Sequence, residues 1–448
     1  LSELSGLDFT SAFPILFLHV INLLSVLIVV ALAFRVAQPF GKDIRPEYVA
    51  LFALLILGPL FALASPQAKF VTGGVVGNIF GNLFIPAVLL LFYRGLHERR
   101  SVFIAIGLFF AFILAYTHHL STLVLAFILT GTLAITVLGL MIGKQNFIRD
   151  WVRLALSPMV LSFLIVAGGF MALVALPTYL DTAAIDSAIG TPTKTTRTGL
   201  SFLQVSNSIG MGKVALGVFG LAIAAFALRR RPIESSFALG WGGILLIMAM
   251  YPHLLLLDIP SSRIGSYLAY PIALAAAFDL AWLTSMLWQL ATLPVFFRTL
   301  TLTAVAVFLV GSGSFDNASS LTFKDRSKEL VQTFAATEYL ANHADGEMIL
   351  KDHNYLSADA WMKLFFHRDY GYPLSRGLFG RYEEGGNRRE RCTLAMISTP
   401  NTAFGEECYR TTDVRYLVVN PIYDHAQFEK SDSFSKLYTS QTAAIYQR

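Results

Sequence analysis

The sequence predicts a polytopic α-helical membrane protein of about ten transmembrane helices with a small C-terminal α/β domain on the extracytoplasmic side. Three observations carry that prediction. The chain is 55% hydrophobic and only 14% charged, with a mean hydropathy of +0.59, far from the composition of soluble domains. From about residue 12 to residue 315, hydrophobic stretches of roughly 17–25 residues follow one another, each enough to cross a ~30 Å hydrocarbon core. After about residue 316 the text turns polar and mixed. The expected domains are therefore residues 1–315, membrane-embedded, and 316–448, extracytoplasmic.

The expected spans are 12–34, 48–65, 74–93, 102–117, 121–142, 154–179, 209–228, 236–257, 264–286 and 297–314. Each is apolar all round rather than striped, as lipid-embedded helices are. Glycines recur inside them (Gly169, Gly217, Gly220, Gly240, Gly242, Gly243), which suits close helix contacts in lipid. Positive charge gathers in every second connection: Arg35, Lys42 and Arg45; Arg94, Arg99 and Arg100; Lys144, Arg149 and Arg153; Arg229 to Arg231; and Arg298. The intervening loops hold only Lys69, Lys194, Arg197, Lys213 and Arg263. The positive-inside rule puts the first set in the cytoplasm and both ends of the chain outside. The net charge of +5 comes mostly from those loops, where anionic lipid headgroups are a simpler partner than nucleic acid. The expected location is a prokaryotic cell (inner) membrane. The chain opens on Leu1 without a basic n-region or cleavage site, so no signal peptide is expected. An outside N-terminus implies at least one further span before Leu1.

Two connections are short, "YTHHLST" at 116–122 and "YPHLLLLDIPSSR" at 251–263, and the longest runs from 180 to 208, a candidate lid or re-entrant segment. In the tail the pattern predicts an amphipathic helix at 328–342, a strand at 347–351, β-rich runs in "CTLAMIS" and "VRYLVVN", and a final strand in "AAIYQR". The two cysteines, Cys392 and Cys408, both lie there. Their spacing excludes a CxxC metal or redox motif. In an oxidising compartment they form a candidate disulfide, worth about 3 kcal/mol in the chain-entropy account.

Under this topology the outer helix ends collect Lys69, Asn78, Asn82, His118, His119, His253, Asp258 and Arg263. Polar groups at membrane depth are expensive and face cavities or protein interior, so their convergence predicts a polar pocket near the outer leaflet. Arg263 stands in "IPSSRIGSYLAYP" beside Ser261 and Ser262. A guanidinium fork binds phosphate bidentately and hydroxyls add donors. The plain alternative is an Arg snorkelling at a helix end. His118 or His119 can hydrogen-bond a sugar hydroxyl or phosphate, or cap a helix. Asp258 is a weak candidate base, metal ligand or partner of Arg263. Asp279, deep in its helix, reads as structural. No HExxH motif, carboxylate cluster or Gly-rich phosphate cradle is present.

Four passages together resemble the polytopic GT-C type glycosyltransferases, which use polyprenyl-phosphate-linked sugars. These are the opening "LSELSGLDFTSAFPILFLHVINLLSVLIVVALAFRVAQPFG", "YTHHLSTLVLAFIL", "SSRIGSYLAYPIALAAAFDL" with its Arg, Tyr and Pro, and the closing "VRYLVVNPIYDHAQFEKSDSFSKLYTSQTAAIYQR". The resemblance implies transfer of a sugar, with inversion, from a polyprenyl-phosphate donor to a glycan, lipid or protein acceptor. Arg263 would hold the donor phosphate with Ser262 and Tyr267, and His118, His119, Lys69, Asn82 and His253 would line the pocket. The family's base or metal-ligating carboxylate belongs to a first outer loop that would precede Leu1; Glu3 and Asp8 do not match its motif. A divalent cation (Mg2+ or Mn2+) is the cofactor that such a carboxylate allows; no motif in the chain demands one. Competing readings are a lipid-linked glycan flippase or transporter, which predicts an inverted repeat that is absent, and an O-antigen-type polymerase or ligase, which favours a long outer loop bearing Arg and His. The 180–208 loop has Arg197 but no His.

Overall fold

The computed structural model describes residues 13–41, 44–62, 76–144, 148–175, 199–257, 261–289, 294–316, 327–344, 348–352, 356, 388–423 and 426–448. Contacts divide the chain into two compact units, Leu1–Thr322 and Phe323–Arg448. The first unit contains α1 (Phe13–Ala37), α2 (Pro46–Ala62), α3 (Val76–Glu98), α4 (Ser101–Thr117), α5 (His119–Gly143), α6 (Ile148–Ala155), α7 (Pro158–Phe170), α8 (Phe202–Ile209), α9 (Met211–Ala227), α10 (Pro232–Met250), α11 (Ser261–Gly265), α12 (Ala269–Gln289) and α13 (Val295–Asp316). Proline opens α7 and α10 at their first helical positions, where a missing N–H costs nothing.

Among the described residues, five helices (α1, α3, α5, α10 and α12) are long and apolar enough to cross a membrane, and α6 with α7 makes a sixth candidate bent by 51°. Four further apolar stretches, Pro46–Gly58, Ser101–Thr117, Met211–Ala227 and Val295–Leu309, are shorter. Seventeen residues rise only ~26 Å, so the predicted count of about ten spans is met by length in five or six cases. The expected 154–179 span does not run straight: Ser157 stands between α6 and α7 in an extended conformation, with Pro158 starting the next helix.

The core of this unit brings α9 against α12, α10 against α5, α1 against α3, and α2 against α12. Small residues set the separations. A Cβ at Gly220 would lie 1.9 Å from the Ala275 carbonyl oxygen, and one at Gly240 would lie 2.5 Å from Thr132 Cα. Backbones therefore touch at two crossings, as small residues permit in lipid. Outward-facing side chains stay apolar: Phe226 is 88% and Leu173 81% exposed, a surface that suits hydrocarbon rather than water.

The second unit holds α14 (Ser327–His343), β1 (Met348–Lys351), α15 (Arg388–Ser398), α16 (Ala403–Thr412), β2 (Val414–Val419), α17 (Ala426–Glu429), β3 (Ser435–Thr439) and β4 (Ala444–Gln447). Its sheet has the order β1-β2-β4-β3, with β1 parallel to β2 and the other pairs antiparallel. The central strand β2 is buried at every position except Arg415, as a strand covered on both faces must be. "CTLAMIS" is helical, not a strand. It ends α15, whose Cys392, Ala395 and Met396 are buried at helical spacing, and its Arg, Glu, Leu, Ala and Met are good helix formers. Cys392 of α15 and Cys408 of α16 are disulfide-bonded, with Cα atoms 5.3 Å apart.

Candidate functional site

The site is built at the helix ends farthest along the chain from the basic loops. Helix α3 starts here with Asn78, Gly81 and Asn82; α4 ends here and α5 begins, with His118 between them; the turn between α11 and α12 contributes Ser266 and Tyr267. Local sequence makes each end. His118 is extended (φ −154°, ψ 102°) and caps α5, its Nδ1 lying 3.3 Å from Ser121 N, in the manner of a side-chain N-cap. Thr117 donates back to the Ile113 carbonyl at 2.9 Å and Thr122 to the His118 carbonyl at 3.0 Å. Between α11 and α12, Tyr267 N donates to Ile264 O at 3.0 Å and Leu268 N to Gly265 O at 3.1 Å. Pro271 then sits in the first turn of α12, where the helix leaves amides without intrahelical acceptors anyway.

Side chains from these three places form one chain of hydrogen bonds. Asn78 Nδ2 donates to Ser266 Oγ at 3.2 Å, and Tyr267 donates its hydroxyl hydrogen to Asn78 Oδ1 at 2.9 Å. Ser121 Oγ lies 2.7 Å from the Tyr267 hydroxyl and 2.6 Å from His118 Nδ1. Each hydroxyl has one hydrogen. Tyr267's goes to Asn78, which leaves its oxygen to accept from Ser121, while His118 Nδ1 meets both the Ser121 hydroxyl and, as the cap of α5, the Ser121 amide. Tyr267 is 1% and Ser121 0% exposed, so an unmade bond here carries the desolvation cost of a buried polar group, about 1–3 kcal/mol. Gly81 makes the approach possible. A Cβ there would stand 2.2 Å from Ser121 Oγ and 2.9 Å from the Tyr267 ring.

The expected site residues do not all meet. His118 and Tyr267 meet through Ser121. Asn82 lies one helical turn beyond Asn78 and is 2% exposed. His119 and His253 are exposed, the His253 ring lying 6.2 Å from that of Tyr251, and neither joins the chain of hydrogen bonds. Ser262 and Arg263 are on α11 by backbone, their side chains lying outside the description. Lys69, Asp258, Glu3, Asp8, Lys194 and Arg197 lie outside the described residues, as does most of the 180–208 loop. From that loop α8 emerges, opened by a Ser201–Gln204 capping box. Asp279 is buried in α12, twelve residues and so ~18 Å beyond Tyr267, clear of the site. Two members were missed from sequence, Ser121 and Ser266. Ser121 follows His118 by three residues, the cap-to-third-residue spacing, and that was the available signal. Ser266 gave none.

Among the described residues, no three His, Cys, Asp or Glu side chains gather as a metal site would. What the arrangement does is mechanical and electrostatic: it joins the helix carrying Arg263 to the turn carrying His118 by buried polar contacts.

No known sequence family matches the chain, and no curated protein matches it by sequence. Solved structures do. The crystal structure of the Archaeoglobus fulgidus oligosaccharyltransferase in its apo form superposes with a TM-score of 0.53 at 12% identity over 90% of this chain and 57% of that one. The archaeal oligosaccharyltransferase AglB from the same organism, in complex with an inhibitory peptide and a dolichol-phosphate, gives a TM-score of 0.51 at 12% identity over 90% and 58%. The chain therefore spans less than two thirds of the length of these neighbours, and at that identity the likeness is one of fold. In fold, the chain resembles the GT-C type membrane glycosyltransferases, as its sequence motifs do.

Proposed function

We propose that the chain is an integral membrane glycosyltransferase that moves a sugar from a polyprenyl-phosphate-linked donor to an acceptor on the extracytoplasmic side. The observation that carries the reading is the hydrogen-bonded junction of α3, the His118 turn and the α11–α12 turn, at the end of the bundle opposite the cationic loops. The neighbour bound to dolichol-phosphate and a peptide supports a lipid-phosphate donor and favours a peptide among the glycan, lipid and protein acceptors. The positive-inside pattern supports the outward placing of the site and, with archaeal neighbours, a prokaryotic cell membrane.

The donor's isoprenoid tail lies between helices in the lipid, and Arg263, with Ser262, grips its phosphate. An acceptor N–H or O–H attacks the anomeric carbon from the face opposite the phosphate. The new bond forms as the carbon–oxygen bond to phosphate breaks, with inversion. The acceptor proton goes to a carboxylate, for which Asp258 is the candidate within this chain, and the bonding pair leaves with the lipid phosphate. Arg263 gains most as negative charge builds on that leaving group, so it lowers the barrier rather than merely binding donor. His118 holds the sugar side of the pocket.

Purified full chain, assayed with a polyprenyl-phosphate sugar, tests this. Arg263→Ala is expected to lower kcat about a hundredfold, the usual scale for losing one preorganised donor to a developing charge. Arg263→Lys retains the charge but not the fork and falls between. Unchanged turnover in both variants removes Arg263 from the reaction.

A further inference from the structure

We infer that the hydrogen-bond chain Asn78–Tyr267–Ser121–His118 is a latch that sets the position of α11 relative to the His118 turn, with Tyr267 and Ser121 as positioning residues. The inference rests on the proposed glycosyl transfer, and it recasts Tyr267, since the hydroxyl expected from sequence to touch donor phosphate is directed into the protein.

Three observations carry it. First, α11 is five residues long, too short to hold itself. Second, the bonds around Tyr267 cross separate elements: its hydroxyl reaches Asn78 on α3 and Ser121 on α5, while Ser266 beside it accepts from Asn78. The residue pair immediately after α11 is thereby tied to two spans that lie far away in sequence. Third, the fit is tight. Tyr267 is fully buried, and at Gly81 there is no room for even a methyl group between α3 and the Ser121–Tyr267 pair. At the far end of the latch, His118 Nδ1 meets the Ser121 hydroxyl and caps α5 through the Ser121 amide. Ring orientation at the turn and the placement of α11 are thus one coupled state. Losing any hydroxyl in the chain loosens both ends together.

The experiment uses the full chain in detergent or nanodiscs and two variants that delete one hydroxyl each, Tyr267→Phe and Ser121→Ala. Ser121→Ala serves if Tyr267→Phe does not fold. Hydrogen exchange at the amides of residues 264–268 is expected to be at least about tenfold faster in either variant, the factor for losing roughly 1.4 kcal/mol of local stability. Exchange within α10 and the distal half of α12 stays as in the parent. In the transfer assay kcat/KM falls by about tenfold. Replacing Arg263 with Lys then costs less in the Tyr267→Phe background than in the parent, because α11 is already displaced. Unaltered exchange at 264–268 overturns the latch whatever the activity does. Faster exchange with strictly additive Tyr267 and Arg263 effects overturns its role in transfer. A parent chain that transfers no sugar from any polyprenyl-phosphate donor ends the enzyme reading, while the exchange measurement still decides the latch.

Discussion

Tyr409, in the C-terminal unit, is a phenol held where its ionised form has no solvent. Its hydroxyl donates to the Met396 carbonyl at 2.7 Å, it is 3% exposed, and burial pushes its pKa well above the usual 10, against the pull of the Arg448 guanidinium, which sits 4.5 Å from the ring centre. The native state therefore keeps this proton where the unfolded chain releases it, from about pH 10 upward. Above that value the unfolded state binds fewer protons, so stability falls as pH rises, and below it nothing changes. Tyr446 moves in the same direction, again through burial. Unfolding midpoints measured from about pH 8 to about pH 11 should fall at the alkaline end, and Tyr409→Phe should flatten part of that fall. An equally steep alkaline loss in the variant would clear Tyr409 of the effect. At this scale the sequence was readable where a residue's chemistry was unusual for its setting. His118 at its turn and Tyr267 after α11 are such residues, and Ser121 links them. Ser121 and Ser266 themselves are not, because a serine's role here comes from partners 146 and 188 residues away, a separation that no local pattern encodes.

Among the helices, the distances are set by glycines that admit no replacement. Gly220→Ala drives a methyl into the Ala275 carbonyl oxygen at 1.9 Å. Backbone cannot turn aside as a side chain would, so α9 and α12 must separate, at a cost of about 1–3 kcal/mol. Gly243 has nothing within 4 Å of its virtual Cβ, and alanine there should be neutral or gain the helix-propensity difference, up to about 1 kcal/mol. Thermal unfolding of the two variants in the same detergent checks the contrast; equal midpoints would mean that the crossing is looser than described. Hydrophobic length found most of these helices because lipid demands it. It misjudged where they break: the turn at Leu156–Ser157 between α6 and α7, and the one at Ser266–Leu268 before α12, interrupt the expected 154–179 and 264–286 spans. In the tail it mistook α15 for a strand, since a short apolar run of seven residues fits either element until its partners are known.

Taken as a whole, the molecule places its only two cysteines in one bond within the second unit. If that unit is extracytoplasmic, a membrane-impermeant maleimide added to intact cells should label neither cysteine until an external reductant is supplied, and both afterwards. Labelling that requires lysis would overturn an extracytoplasmic placing of this unit. Replacing both cysteines with serine should lower the stability of this unit by about 3 kcal/mol, read from its unfolding midpoint. The broad plan, a mostly helical chain with a small sheet region near its C-terminus, was legible because the composition turns polar and mixed after about residue 316. The strand order was not, because pairing of β2 with both β1 and β4 depends on packing across the whole unit.

That strand order dictates a sequence of events. β2 needs β1 on one side and β4 on the other, and β4 is made only when synthesis reaches Ala444. Until then the apolar interior that β4 will close stays open to water, and the nascent unit must wait for its last strand. The Cys392–Cys408 bridge spans only 16 positions and needs none of the later strands, so it is available to form first. Cross-linking α15 to α16 early shortens the remaining conformational search before the sheet zips shut.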